Sequence, residues 1–388
     1  MLDVAKTTNS PLQLNVIRDR DAFACIRDEW NTMLLLAAAA TPFLTWEWLD
    51  AWIEEYRTSD QELLILTAYQ GSRLVAALPL LVSERCFWTG GEVRLIQMLG
   101  TGEAEWEEVC SEYGDLITVE ANRKHAVLLF ADYLQTLGWD ELLLPRVLKN
   151  SAFVTHLIPV MRRVTVREIP AGSRYRIALP STPAEYRAKL RSRMKRRIKR
   201  AEALDRSMSI HRERVKTTQV LSPTLNELGR LHQKRWQARN IEGVFASPRF
   251  IRFHDLVCRR FLAAGWLAMR TAIHEGQTIA VHYNIRFADT EYYYQSGYDI
   301  DNYRNNGLGT MGHIHAVGQS ILDQLKYYDF MRGPDQSYKQ EYNCQLTPMV
   351  DIKIFNRTCF GVLLMLHDLG KSLVRRTRLI ARRSWLTS

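Results

Sequence analysis

The sequence predicts an α/β protein of the α+β kind, built from two similar units, each a mixed, mostly antiparallel sheet flanked by helices. Three observations predict it. Period-two and period-3.6 hydrophobic runs alternate along the chain. Two strand-turn-strand stretches echo each other, residues 63–78 and 266–281, and Trp139-Asp-Glu-Leu-Leu-Leu-Pro is echoed by Tyr328-Asp-Phe-Met-Arg-Gly-Pro. The charge divides sharply: residues 1–150 hold 12 Lys/Arg against 23 Asp/Glu, and residues 151–388 hold 40 against 19. The expected division is a degenerate first unit over 1–150, an active second unit over 151–360, and a basic C-terminal helix or tail over 361–388.

In the first unit, residues 1–11 read as a loose tail. Residues 21–36 carry apolar side chains at helical spacing, and 46–56 form a short aromatic helix with Trp48, Trp52 and Tyr56 on one face. Strands over 62–69 and 73–82 meet at the turn Gln70-Gly71-Ser72. Further strands are expected within 89–102, at 115–119 and at 139–144, with an acidic loop over 103–108 and a helix over 121–137.

In the second unit, 153–179 reads as two or three strands and 182–203 as a strongly basic helix. Helices follow at 223–240 and 247–264, the latter opened by Ser247-Pro248. Strands are expected at 266–274, 278–287 and 291–297, a helix at 310–325, then strands at 327–332 and 349–355. Residues 361–386 form a basic amphipathic helix or tail.

Length and an apolar fraction of 46% suit a two-unit globular chain with a full core. No apolar run reaches the roughly 20 residues that span a bilayer. Six scattered cysteines, without C-x-x-C or zinc-ligand spacing, predict a reduced, cytoplasmic setting and no metal site. The basic second half predicts a polyanionic partner, and the acidic first half argues against a protein that coats DNA.

The stretch Arg304-Asn305-Asn306-Gly307-Leu308-Gly309-Thr310 lies between an aromatic strand and a helix. Two glycines let the backbone approach a ligand, the helix start offers free amides, and Arg304 adds a charged donor. That combination suits phosphate. On the strand 278–287, Ala280, His282, Asn284 and Arg286 share a face, so His282 is a candidate base. The basic run from Arg187 to Arg200 also carries an apolar stripe, Leu190, Met194 and Ile198. It fits a solvated face, a coenzyme or acceptor contact, or an RNA or membrane surface.

The order strand, turn, strand, aromatic strand, R-x-x-G-x-G, helix, strand resembles the GNAT superfamily of N-acyltransferases. With Leu231-His232 to Trp236, Tyr292 to Asp299, Asp329 to Gly333 and Tyr338-Lys339, it resembles the tandem-GNAT group that includes CelD-like proteins of cellulose and exopolysaccharide synthesis, akin to Fem-type aminoacyl transferases. The resemblance covers residues 180–345 well and 40–145 loosely. It implies an acyltransferase that moves an acyl group from acetyl-CoA or another acyl-CoA to a sugar, saccharide or amino-acid-like amine. Residues 304–310 would hold the coenzyme. Tyr338 would be the acid, with Tyr342 its neighbour, and Asp329 would orient His282 or hold Lys339. His232, Trp236, Tyr298 and Lys339 would meet the acceptor. Fem-type members use aminoacyl-tRNA, so tRNA stays open as the donor. A non-catalytic scaffold holding RNA or an anionic membrane is the other alternative. The cationic tail fits a membrane surface.

Overall fold

A computed structural model describes residues 11–86, 90–303 and 307–384. The first elements are β1 (Leu12–Ile17), α1 (Arg20–Cys25), α2 (Arg27–Leu36), α3 (Trp46–Tyr56), β2 (Gln61–Gln70), β3 (Arg73–Cys86), β4 (Glu92–Met98), β5 (Ile117–Thr118), α4 (Arg123–Thr136), β6 (Glu141–Leu148), α5 (Ile158–Val160) and β7 (Val164–Ala178). Then come α6 (Pro183–Lys189), α7 (Ser192–Ser207), β8 (His211–Arg214), α8 (Thr218–Gln237), α9 (Pro248–Ala263), β9 (Leu267–His274), β10 (Gln277–Phe287), β11 (Thr290–Tyr298), α10 (Leu308–Leu322), β12 (Tyr327–Gly333), β13 (Gln345–Asn356) and α11 (Cys359–Ser384).

All the strands join one sheet, in the order β1-β2-β3-β4-β6-β13-β7-β12-β11-β10-β9-β8, with β5 beside β3. The order is a mirror about the antiparallel pair β13–β7, which runs from Gln345↔Arg176 to Asn356↔Val164 with one register shift between Pro348 and Val350. Each half hands its last strand across: β7 follows β6 in the chain but pairs β12, and β13 follows β12 but pairs β6. Residue 150, where the boundary is expected, lies in the segment between β6 and β7.

Helices cover both faces. On one, α2, α3, α8 and α9 enclose a core shared by the two halves. Trp48 is its centre, packed edge-on to Phe43 and Phe253 with centroids 5.0 Å away in each case, and its indole N–H reaches Ser111 Oγ at 2.8 Å. On the other face α4 covers the first half, and α6, α7 and α10 cover the second. Opposite charges also hold the halves together. Arg260 reaches Asp50 at 2.9 Å, Arg252 reaches Glu55 at 3.0 Å, and Arg332 reaches Glu112 at 3.3 Å. Part of the basic excess of the second half is therefore spent on the acidic first half.

Three elements differ from expectation for identifiable reasons. Residues 153–179 hold a single long strand, β7, because Asp115 accepts the amides of Ala152 and Phe153 and turns 153–160 into a short helical segment. The basic helix breaks at Leu190, whose extended backbone seats its side chain in the core between α6 and α7. β6 runs through Pro145, because Arg146 adopts a left-handed φ of 54° and gives its amide to Asp351 Oδ1 at 2.8 Å, outside the ladder.

Candidate active site

β11 and β12 run parallel but pair at only three positions, Thr290↔Tyr327, Glu291↔Tyr328 and Tyr292↔Asp329. Beyond that fork β11 continues to Tyr298 and β12 to Gly333, so the strands part into a wedge. β12 is held off by carboxylates that take its amides. Asp329 Oδ1 accepts from Met331 N at 2.7 Å, and Glu112 Oε2 accepts from Arg332 N at 2.9 Å. Met331 stands at φ 60° within the resulting irregularity.

Asp329 is fully buried at the fork. Its Oδ2 accepts from Arg174 Nε and its Oδ1 from the Tyr113 hydroxyl at 3.1 Å, while the Arg174 guanidinium lies over the Tyr113 ring at 4.8 Å. Asp329 therefore neither orients His282 nor holds Lys339, as the sequence had suggested. It fixes the fork and ties it to the first half.

At the wedge mouth α10 begins. Arg304, Asn305 and Asn306 lie outside the described residues. Gly307 is the N-cap at φ 82°, a backbone geometry that suits glycine, and among the described residues no side chain caps the helix. The amides of the first turn, Leu308, Gly309 and Thr310, are thus free of intrahelical partners and carry the positive end of the helix dipole. A Cβ built on Gly309 would meet only Tyr298 Cε1, at 3.7 Å, an ordinary contact, so this position has room for a side chain. Leu308 and Thr310 are buried under the helix.

Tyr338 opens a short turn after β12 and is half exposed. Burial of its phenol beside Tyr293 raises its pKa, although the nearby Arg235 opposes this, so the group stays protonated at neutral pH and can donate. Arg235 also stacks over Tyr298 at 5.2 Å. Tyr298, Tyr338, Tyr293 and Arg235 are thus neighbours near the mouth.

The other expected residues sit elsewhere. His282 is buried beneath α10, where a Cβ at Gly312 would fall 1.9 Å from its Cε1. Burial, with Arg270 next, lowers its pKa to about 3, so it is a weak base. Lys339 turns inward, its Nζ donating to the carbonyls of Phe330 at 2.7 Å and Arg332 at 2.6 Å, and burial lowers its pKa. Trp236 Nε1 donates to His232 Nε2 at 2.8 Å, and burial lowers the His232 pKa to about 4. That pair is linked to β11 through Gly297, where a Cβ would meet Leu231 Cβ at 2.8 Å and His232 N at 3.0 Å. Sequence reasoning missed Glu112, Tyr113 and Arg174, which build the fork. The acidic loop expected over 103–108 stops short of Glu112 and Tyr113, and nothing local marks Arg174. Among the described residues no group of His, Cys, Asp or Glu could hold a metal ion.

With this geometry in view, the comparisons with known proteins are informative. Residues 188–340 match the model of the acetyltransferase (GNAT) domain. No curated protein matches the chain. Among solved structures, FemX aligns with a TM-score of 0.59 at 9% identity, over 84% of this chain and 95% of its own. A conserved protein of unknown function from Bacteroides thetaiotaomicron VPI-5482 aligns at 0.54 and 12% identity, over 88% and 100%. The C-terminal domain (DUF2156) of a protein described as a lysylphosphatidylglycerol synthetase from Agrobacterium fabrum aligns at 0.51 and 9%, over 88% and 96%. At these identities the likeness is one of fold. The fold is mixed α/β, two similar halves joined in one large sheet flanked by helices, and residues 188–340 of the second half carry the acetyltransferase domain match.

Proposed function

We propose that the protein is an acyl-CoA-dependent N-acyltransferase, acetyl-CoA being the simplest donor, acting on an amine of a sugar, saccharide or amino-acid-like acceptor in polysaccharide or cell-envelope synthesis. The observation that carries this reading is the wedge between β11 and β12, with an uncapped helix start at its mouth. A thioester fits between parted strands while its pyrophosphate rests on the amides of residues 308–310. The neutral acceptor nitrogen attacks the thioester carbonyl, the C–N bond forms, and the C–S bond breaks. Tyr338 gives its phenolic proton to the leaving thiolate, and the amine proton passes to solvent. Tyr298 and Arg235 line the approach. Lys339, bound to two β12 carbonyls, positions the strand after the fork.

A second reading has one observation in its favour. Arg193, Lys195, Arg196, Lys199 and Arg200 project from α7, whose Ala201 lies under Gly307, so a long polyanion could run from the wedge along the helix. An aminoacyl-tRNA donor of the Fem type would use it. Incubating the protein with radiolabelled acetyl-CoA or with charged tRNA, and an amino-sugar or amino-acid acceptor, separates the two. Transfer from acetyl-CoA alone supports the first reading, and transfer from tRNA alone replaces it. The C-terminal helix α11 exposes Val362, Leu363, Leu366 and Leu369 before its Arg-rich end. We propose that it rests on an anionic membrane surface, which co-sedimentation with phosphatidylglycerol vesicles tests. Among the described residues no helix is long and apolar enough to cross a membrane.

A further inference from the structure

A cavity of about 550 Å³ lies between the halves, lined by the small-residue run Ala37–Ala40, the loops around Asp115 and Ser151, the turn at Asp289, and β7. Its size suits a small metabolite. Its charge is unusual. Arg174 and Arg176, two apart on β7, share a face of the strand and both line it.

Arg176 makes no hydrogen bond or ion pair among the described residues. Its guanidinium lies over the Tyr327 ring at 3.9 Å, and burial together with Arg174 lowers its pKa. Arg174 is 8% exposed and uses Nε on Asp329, leaving its terminal nitrogens without a protein hydrogen-bond partner among the described residues. Two further lining residues carry a buried polar atom with no partner, Thr41 Oγ1 and Arg123 Nε. The acids in the wall are already engaged. Asp115 accepts the amides of Leu116, Ala152 and Phe153, and Asp289 pairs with Lys326 at 3.1 Å.

Two half-buried or buried guanidiniums side by side repel each other, and unpaired buried polar atoms are costly. An anion between them removes both penalties. We propose that this cavity binds a small ligand bearing a carboxylate or a phosphate, clasped by Arg174 and Arg176, at a site separate from the mouth of the wedge. Tyr292 and Arg174 belong both to the cavity wall and to the fork, so the two sites adjoin without merging.

The test is isothermal titration of the full chain with inorganic phosphate and with malonate, in the presence of saturating coenzyme A. The expected result is saturable binding of one anion per chain. Binding of phosphate alone assigns a phosphate ligand, and binding of malonate assigns a carboxylate. Arg176→Glu, which places a carboxylate beside Arg174, should weaken the anion by about tenfold or more, the worth of one charge-assisted hydrogen bond. Its Tm without anion should equal or exceed that of the parent protein, and Arg176→Gln serves as the second variant. Gly309→Glu should leave anion binding intact. No saturable binding at millimolar anion, binding unchanged in both Arg176 variants, or binding lost in Gly309→Glu overturns the proposal.

Discussion

The two halves carry the same fork and use it differently. In the first, β4 and β6 are parallel and pair at three positions, Leu95↔Glu141 to Gln97↔Leu143, just as β11 and β12 do in the second. In the second half the strand leads into a glycine turn and a helix. In the first, residues 99–116 fold back and close the opening. Gln97 Nε2 donates to Thr101 O at 2.5 Å, and Tyr113 N donates to Arg146 O at 3.1 Å. α4 starts only at Arg123, after Asn122, with no left-handed glycine at its cap. The same segment then reaches across to the other fork with Glu112 and Tyr113. One half of the mirrored sheet holds an opening, and the other closes its own into a brace.

If that comparison is right, damage to the brace costs stability and damage to the opening costs activity. The largest effect belongs to Asp329→Asn, which leaves Arg174 buried beside an uncharged partner. Chemical denaturation should show a loss of about 3–5 kcal/mol. Tyr338→Phe should lower kcat by roughly 10²-fold or more with Tm unchanged, since the residue is half exposed and its hydroxyl has no hydrogen-bond partner among the described residues. An unchanged rate would remove it as the acid. Tyr113→Phe loses one hydrogen bond to a charged group and should cost about 1.5–3 kcal/mol, although it lies in the half without the open wedge. At the small end, Lys195→Ala and Arg196→Ala on exposed α7 should change stability by less than about 0.5 kcal/mol. A salt-dependent loss of tRNA binding in the same variants would favour the second donor.

Acid should find the buried histidines. His282 and His254 have pKa values lowered to about 3, and His232 to about 4, each mainly by burial. A histidine whose folded pKa lies below its unfolded value of 6.5 contributes fully above that pH. The contribution is lost as pH falls towards the folded pKa. Thermal scans should therefore show Tm falling from pH 6.5 to pH 4, and chemical denaturation at pH 5 should show up to about 2 kcal/mol of stability lost per histidine. A flat profile over that range would mean these rings are solvated.

The opening was legible in the sequence and the brace was not. Gly307 announces itself because the left-handed N-cap of α10 favours glycine locally, and Gly309 stands out beside it in the sequence. The alternation of apolar residues likewise marked β2, β3, β9, β10 and β11 closely. Tyr113 and Asp329 are 216 positions apart, and Arg174 lies on a strand that crosses into the other half, so no local pattern links them. His282 stood on the expected strand face, yet that face is sealed by α10 at Gly312, a contact that spacing within one strand cannot reveal. Charge was read correctly in amount but only in part for its purpose, since Arg252, Arg260 and Arg332 face the acidic half.

In the proposed function α10 and the wedge hold a coenzyme A-bearing donor. Isothermal titration of coenzyme A into the protein and into Gly309→Glu tests it directly. A Cβ at Gly309 meets nothing closer than 3.7 Å, and an acid in the first turn of a helix favours the fold, so the variant should keep its Tm. It also sets a negative charge where the pyrophosphate would rest. The parent protein should bind at one site per chain, and the variant with an affinity lower by about 100-fold or more, roughly 3 kcal/mol. No binding to the parent protein, or equal binding to both, would contradict it.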